Sequence, residues 1–200
     1  MIQQRERSLV LIKPDGVQRS LVGEIIKRYE KTGLKLVALK FVIPDEETVK
    51  KHYLSDKGWL ESVGKKAISA YEKKGIEPPI KDPIECGQAV LNVLLKYIIS
   101  GPVVAMVWEG SEAVGVIRKI TGGTEPLTSD VGTIRGDFTI DSYKLADVDG
   151  RAVRNLIHAS GSSVEAEKEI KIWFEDEEVI KYRLVQESIL YDVNLDGIKE

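Results

Sequence analysis

The sequence predicts an α+β fold in which helices cover a four-stranded antiparallel sheet of the ferredoxin-like kind. Two observations support this prediction. Four apolar runs have the length of buried strands, and helical periodicity appears between them. The resulting order, β-α-β-(α)-β-α-β-α, fits that topology. Because the topology occurs with many unrelated activities, it leaves the function open.

Length and composition indicate one domain over residues 1–200. The apolar fraction of 42% and the charged fraction of 30% are those of an ordinary globular protein. The net charge of −3 gives no electrostatic footprint for nucleic acid or for an anionic membrane. The longest apolar run, at 103–108, is far too short to span a bilayer. We therefore expect neither nucleic acid nor a membrane among the partners.

The expected cellular setting is the reduced cytoplasm. Cys86 is the single cysteine, so the chain has no internal disulfide framework. The N-terminal segment MIQQRERS lacks the apolar core of a signal peptide. Both observations favour a soluble cytoplasmic protein.

The first quarter of the chain predicts two strands with a helix between them. In order, the pattern gives a strand at about 6–12, a helix over 21–29 and a second strand over 34–43. A Pro-Asp-Gly break ends the first strand. Asp45 then caps a further helix. One face of that helix carries Val49, His52 and Tyr53.

The middle of the chain predicts two helices and a central strand. The helices occupy 59–100 and are joined by the Pro-rich segment EPPIKDP. The segment GPVVAMVWEG at 101–110 is apolar on both faces, which is typical of a central strand. Another helix is expected to begin at 111–112 and to end at Gly122 and Gly123.

The last third contains the least periodic part of the chain. Residues 124–154 show little periodicity and several turn-forming residues, which predicts a long loop. A fourth strand is expected at 155–160. Ser162 to Glu165 then supplies a capping box for a helix that extends to about Phe174. The tail from about residue 183 shows no pattern that predicts structure.

Isolated basic residues fall beside glycines at several predicted strand ends and loops. They are Lys13 after the first strand, Arg118 in the helix after the third, Arg135 in GTIRGDF, and His158 at the end of the fourth. Each lysine or arginine alone reads as an ordinary surface charge. A converging set would suit a polyphosphate, because arginine forks match phosphate oxygens and lysine supplies a point charge. The residues alone indicate an α+β protein with a candidate phosphate site.

His158 has unusual neighbours for one of only two histidines. It ends a short apolar strand and is followed by Ala159, Ser160 and Gly161. A core histidine would normally have bulkier packing neighbours. These small residues leave room for a large group that approaches from solvent.

Five segments together resemble nucleoside diphosphate kinase. In order, they read KPDGVQR, GEIIKRYE, SGPVVAMVWEG, GTIRGDF and NLIHASGSSVEAEKEI. The resemblance extends from Leu9 to about Phe174. It implies transfer of a phosphoryl group from a nucleoside triphosphate, such as ATP, to a nucleoside diphosphate through a phosphohistidine, with Mg²⁺ on the nucleotide and no direct protein ligand to the metal. It also implies a homo-oligomer, a tetramer or a hexamer.

The resemblance implies phosphate and sugar contacts for five residues. Lys13 and Asn155 match residues that meet the terminal phosphate and the sugar 3′-hydroxyl. Arg118 and Thr124 match residues that hold the middle phosphate. Arg135 matches the residue that holds the transferred phosphate. In this reaction the protein mainly positions and neutralises charge, so a cluster of cations is what catalysis requires.

The resemblance also assigns the surroundings of the nucleophile. His158 matches the histidine that is phosphorylated, and neutral imidazole is a nucleophile near pH 7. Glu169 matches a glutamate that orients the ring; without the family it reads as a solvated helix residue. Tyr53 is expected beside the histidine, and Ser160 near its phosphorylated form. His52 is expected to have a structural role.

The chain departs from the family pattern at several places. A helical insert is expected at about 56–95, and a second short insert at about 141–152. Val90 aligns with the aromatic residue that normally stacks on the base, and valine cannot stack in that way. Trp59 could replace that residue or could anchor the inserted helix to the core, and the sequence leaves both open. Inserts of this style resemble archaeal-type members.

Two other classes of protein share parts of this pattern. A nucleotide-responsive protein could keep the fold without turnover, but every matched catalytic position has the expected residue type. A ferredoxin-like nucleic-acid binder could share the topology, but the acidic balance and the absence of an aromatic-rich strand argue against it.

Overall fold

A computed structural model describes residues 5–73, 75–192 and 194–196. The sheet has four antiparallel strands, as predicted, in the order β2-β3-β1-β4. The strands are β1 (Glu6–Ile12), β2 (Lys35–Val42), β3 (Val103–Gly110) and β4 (Ile157–Ala159). β1 pairs with β3 along its whole length and with β4 at three positions, one of which joins Leu11 to His158. The central strand β1 therefore positions the candidate nucleophile.

Helices connect the strands and cover both faces of the sheet. Ten α-helices lie within the described residues: α1 (Pro14–Gln18), α2 (Val22–Glu30), α3 (Glu46–Tyr53), α4 (Trp59–Lys73), α5 (Pro83–Ile98), α6 (Ala113–Thr121), α7 (Ile134–Phe138), α8 (Tyr143–Val148), α9 (Ser163–Trp173) and α10 (Glu187–Leu190). None of them is long and apolar enough to cross a membrane. The helices of eight or more residues all match predicted ones.

The core has two layers because side chains of β1 alternate across the sheet. Leu9 and Leu11 pack on one side with residues of α3, α5 and α9. Val10 and Ile12 pack on the other side with residues of α2 and α6. The first layer includes Trp173, near the carboxyl end of α9. The candidate site lies at the edge of that layer.

The predicted pair of helices at 59–100 is α4 and α5, which pack at very short range. A Cβ atom at Gly64 would overlap the carbonyl oxygen of Pro83, and one at Gly87 would overlap that of Leu60. Asp82 caps α5 by accepting hydrogen bonds from two backbone N–H groups. Two glycines and a cap therefore fix the geometry of this hairpin.

The segment 124–154 is more structured than predicted. It contains α7 and α8, whose first turns are capped by the side chains of Thr133 and Ser142. Helices of five and six residues are too short to give a recognisable period, so the prediction of a long loop was wrong there. α1 was not predicted either, because its five residues also give no recognisable period.

The tail packs along the edge strand β2. The backbone N–H of Ile180 donates to the Val37 carbonyl at 2.8 Å, and the Tyr182 hydroxyl donates to the Leu36 carbonyl at 2.7 Å. Glu187 lies 3.0 Å from both Lys35 Nζ and Arg5 Nη2. These partners are remote in sequence, so no local pattern could have predicted the contacts.

Candidate active site

His158 lies on β4 with its ring set between the sheet and α9. Its Nε2 is buried and lies 2.8 Å from Glu169 Oε1, although this contact does not have the geometry of a hydrogen bond. Glu169 Oε2 accepts a hydrogen bond of 2.6 Å from the Ser160 hydroxyl. Ser160 in turn accepts from the backbone N–H of Leu9 at 3.0 Å. Glu169 is thus held by a hydrogen bond at Oε2, while Oε1 lies against the His158 ring.

Electrostatics keep the His158 ring neutral near pH 7. Burial lowers the pKa of His158 to about 3, and the positive charge of Lys13 acts in the same direction. Burial also raises the pKa of Glu169, while the hydrogen bond from Ser160 opposes that shift. A neutral imidazole has one nitrogen with a free lone pair, which is what a nucleophile requires.

Lys13 lies at the amino end of α1, directly after β1. It is 5% exposed, and its Nζ donates to Asn155 Oδ1 at 2.6 Å. The ammonium group also lies 5.4 Å from the centre of the Tyr97 ring. Burial lowers the pKa of Lys13 to about 7, with a further contribution from the positive charge of Arg135. Lys13 is therefore a cation that an anionic ligand would stabilise.

Arg135 on α7 is buried at 8% exposure, and most of its hydrogen-bonding capacity is already used. Its guanidinium donates four hydrogen bonds to backbone carbonyls, those of Gly122, Gly123, Asn155 and Ile157, at 2.6–3.0 Å. A guanidinium has five N–H donors, so one remains for a ligand. Arg135 joins the loop after α6 to the segment before His158.

Asn155 connects the two halves of this cluster. Its Oδ1 accepts from Lys13, and its Nδ2 donates to the Thr124 carbonyl at 2.9 Å. Thr124 itself is exposed at the loop surface. The structure therefore brings Lys13, Thr124, Arg135 and Asn155 into one hydrogen-bonded network.

Arg118 faces the same opening from α6. Its side chain is exposed, and its Nη1 lies 3.9 Å from the position that a Cβ would take at Gly161. Its charge contributes to the lowered pKa of His158. Glu165, which the sequence did not indicate as part of the site, reaches back and accepts from the Gly161 N–H at 2.9 Å. The predicted capping box is thus shifted by one residue at this return contact.

Tyr53 contacts the site through its neighbour in α3. Its ring centre is 5.0 Å from that of His52 and 5.2 Å from that of Trp59. Tyr53 and Trp59 are both half-buried and pack against the first core layer. Val90 on α5 is also half-buried. This packing of Trp59 supports its interpretation as an anchor for the inserted helix.

His52 is in direct contact with His158, closer to the site than its expected structural role required. Its ring meets the ring of His158 edge to face, with centres 4.4 Å apart. Its Nδ1 accepts a hydrogen bond of 3.3 Å from the indole N–H of Trp173. The pattern of α3 placed His52 on an apolar face. It could not show that this face packs against α9 and Trp173, because that contact forms only in the folded chain.

One group among the described residues could hold a metal ion. His52, His158 and Glu169 offer ligand atoms within 4.8 Å of one another. Two imidazoles and one carboxylate suit zinc or a similar transition metal, whereas Mg²⁺ prefers six oxygen ligands. The donor set therefore gives Mg²⁺ no binding site of its own beside His158.

Comparisons with known proteins identify the family of this chain. The family model "Nucleoside diphosphate kinase" matches residues 6–62 and 85–179, which is more than half of the chain. The chain belongs to the nucleoside diphosphate kinase family. It catalyses the transfer of a phosphoryl group between nucleotides. The gap in the match, 63–84, covers most of α4 and the Pro-rich joint.

Relatives within the family are similar over almost their whole length. A nucleoside diphosphate kinase from Pyrobaculum aerophilum is 49% identical over 180 residues, which cover 88% of this chain and 98% of the relative. A crystal structure of an NDP kinase from the same organism has a TM-score of 0.85 at 47% identity, covering 89% of this chain and 100% of that one. A transition-state mimic of the Borrelia burgdorferi kinase, with bound vanadate and ADP, has a TM-score of 0.75 at 38% identity, covering 92% and 95%.

Proposed function

We propose that His158 carries the phosphoryl group between the two nucleotides. The observation that supports this is its ring geometry: Nε2 is buried against Glu169, which leaves Nδ1 as the nitrogen that can reach a phosphate. The Nδ1 lone pair attacks the terminal phosphorus, and the bond to the bridging oxygen breaks. The diphosphate leaves with that electron pair. A terminal oxygen of a second diphosphate then attacks the same phosphorus and restores the free ring.

Glu169 stabilises the ring as this reaction proceeds. Phosphorylation at Nδ1 places positive charge on the imidazole, and the carboxylate oxygen 2.8 Å from Nε2 offsets that charge. The hydrogen bond from Ser160 to the other carboxylate oxygen keeps the group in position. Ser160 and His158 contact the same carboxylate, so the Ser160 hydroxyl would lie near the phosphorylated ring.

Five residues near His158 would bind the phosphates and the sugar. Lys13 supplies a point charge whose pKa of about 7 rises when a phosphate arrives. Arg118 is exposed, and no hydrogen bond to another described residue occupies its guanidinium, so it is available for a phosphate. Asn155 and Thr124 supply neutral polar groups beside Lys13. Arg135 would contribute its remaining N–H to the transferred phosphate while it holds the surrounding backbone.

Mg²⁺ would reach this site on the nucleotide. The side chains that surround His158 are mostly cations and imidazoles, which fit phosphate oxygens better than they fit a hard cation. When bound to the phosphates, Mg²⁺ neutralises part of their charge. The chain's own residues would then hold the phosphates in line with His158 Nδ1.

The working form is proposed to be a homo-oligomer in the cytoplasm. Phe41 and Ile43 on or beside the edge strand β2 are 63% and 72% exposed, which is typical of surfaces that another subunit covers. Cys86 is a buried free thiol, which suits a reducing compartment. Sedimentation at several protein concentrations would measure the assembly size.

A two-step exchange experiment tests the proposed intermediate. The protein is incubated with ATP, separated from nucleotides and then mixed with GDP. We expect GTP to form in an amount equal to the bound phosphate, and initial rates to follow ping-pong kinetics. His158→Ala should form no GTP, whereas the exposed-surface control Lys168→Ala should behave as the wild type. GTP formation that requires ATP and GDP to be present together would contradict the intermediate.

A further inference from the structure

Trp173 and His52 form a chain of contacts that ends at the nucleophile. The indole N–H of Trp173 donates to His52 Nδ1, and Glu169 Oε1 lies 3.5 Å from that same nitrogen. The same carboxylate oxygen lies 2.8 Å from His158 Nε2. Glu169 Oε1 is therefore placed between two imidazoles, and only one of them is the nucleophile.

The contact with Trp173 decides which nitrogen of His52 carries the proton. An indole N–H is only a donor, so His52 Nδ1 must be the acceptor. The proton of the neutral ring is then on Nε2. Burial keeps the ring neutral, since it lowers the pKa of His52 to about 3, and the positive charge of Lys13 acts in the same direction. The lone pair of His52 Nδ1 consequently accepts from Trp173, and this nitrogen has no proton to donate to Glu169.

With this tautomer, His52 does not compete with His158 for the Glu169 carboxylate. If His52 carried its proton on Nδ1, it would donate a charge-assisted hydrogen bond to Glu169 Oε1. That bond would draw the carboxylate away from His158. With Trp173 in place, His158 Nε2, 2.8 Å from Oε1, is the one of these two imidazole nitrogens that carries a proton, and the His158 lone pair remains on Nδ1.

We propose that His52 is a positioning residue whose tautomer, fixed by the Trp173 N–H, reserves the Glu169 carboxylate for His158. The edge-to-face contact of the two rings, with centres 4.4 Å apart, also restricts rotation of the His158 ring. The proposal rests on His158 as the nucleophile and extends that role to two residues that do not touch the substrate.

The ring tautomers of the wild-type protein can be measured directly. Nitrogen-15 chemical shifts distinguish protonated from unprotonated imidazole nitrogens, and His52→Asn assigns the two sets of signals. At pH 7 we expect His52 to be protonated on Nε2 alone, and His158 likewise. A proton on His52 Nδ1 would overturn the proposal. This result does not depend on phosphorylation, so a failure of His158 as the nucleophile would appear separately in the exchange experiment.

A double-mutant cycle tests the effect on the reaction. Trp173→Phe removes the donor, so His52 is free to compete for Glu169. We expect single-turnover phosphorylation by ATP to slow by about 10- to 100-fold, as for the loss of other outer hydrogen-bonding partners, with the Kd for ATP unchanged. Adding His52→Phe removes the competing imidazole and fills the space left by the smaller ring at 173. The double variant should therefore recover most of the lost rate.

A structural role for the two residues predicts a different pattern. The two losses would then add, and the double variant would be slower than Trp173→Phe. Trp108→Phe serves as the matched control, because it removes a buried indole from the other core layer. It should lower the Tm without changing the His52 tautomer or the phosphorylation rate. An unchanged rate in folded Trp173→Phe, or a double variant slower than that single variant, would overturn the proposal.

Discussion

Replacing Arg135 with alanine should lower the stability of the protein and also weaken nucleotide use. The guanidinium donates four hydrogen bonds to backbone carbonyls, and alanine leaves all four acceptors without their partner. At about 1 kcal/mol for each bond, the free energy of unfolding falls by roughly 4 kcal/mol. For a chain of this size each kcal/mol corresponds to about 2–4 °C, so the Tm should fall by roughly 8–16 °C.

Arg118→Ala is the matched comparison, because Arg118 is exposed on α6. Its removal should change stability by no more than about 0.5 kcal/mol. Its loss should weaken the use of ATP, GTP and CTP by similar factors, roughly tenfold or more, since a bond to a charged group contributes about 1.5–3 kcal/mol.

Calorimetry and kcat/KM on the two variants separate the effects. Arg135→Ala could lose activity while its Tm stayed within about 2 °C of the wild type. That result would refute the structural role given to its hydrogen bonds with the backbone carbonyls. A loss confined to one base would contradict the placement of both arginines at phosphates.

Three further outcomes follow from the site. Glu169→Gln should reduce turnover by roughly 10- to 100-fold without abolishing it. The exposed control Glu72→Gln should leave turnover unchanged. Wild-type turnover in Glu169→Gln would show that the carboxylate charge is unimportant. Because the pKa of Lys13 is about 7 in the free protein and a bound phosphate raises it, ATP binding at pH 8 should take up nearly one proton. Calorimetry in two buffers of different ionisation enthalpy measures this, and Lys13→Met should abolish the uptake; equal heats for the wild type would contradict it. Trp59→Leu should lower stability by about 2 kcal/mol, or the Tm by roughly 4–8 °C, with KM unchanged, and a raised KM at constant Tm would instead show base stacking.

The sequence predicts the long elements of this fold because their patterns are local. β1 is expected at about 6–12 and is observed at Glu6–Ile12, since its apolar run and the Pro-Asp-Gly break mark both ends. α5 is recognisable from its apolar period, whereas its cap, Asp82, is known from the structure. α7 and α8 are not recognisable, because fewer than two turns give no measurable period. Their existence depends on the caps at Thr133 and Ser142 and on packing.

The site shows the same division between local and long-range information. The motif residues are identified by type and order, and the structure brings them together around His158. What the sequence could not show is how each side chain is used. Arg135 reads as a phosphate ligand, yet four of its donors bind carbonyls that lie 12–22 residues away in sequence. The pattern of α3 predicts a structural role for His52, because its contacts with His158 on β4 and Trp173 on α9 exist only in the folded chain.

The most direct test of the proposed mechanism is to determine which residue is phosphorylated. The protein is incubated with ATP labelled at the terminal phosphate, and the stability of the label is measured in acid and in alkali before peptide mapping. A phosphohistidine gives a label that is lost in acid and stable in alkali, and we expect it at His158 in the wild type and nowhere in His158→Ala. Ser160 provides the critical alternative, since its hydroxyl is adjacent to the site and donates to Glu169 at 2.6 Å. An acid-stable label at Ser160, or any label retained by His158→Ala, would contradict the central claim.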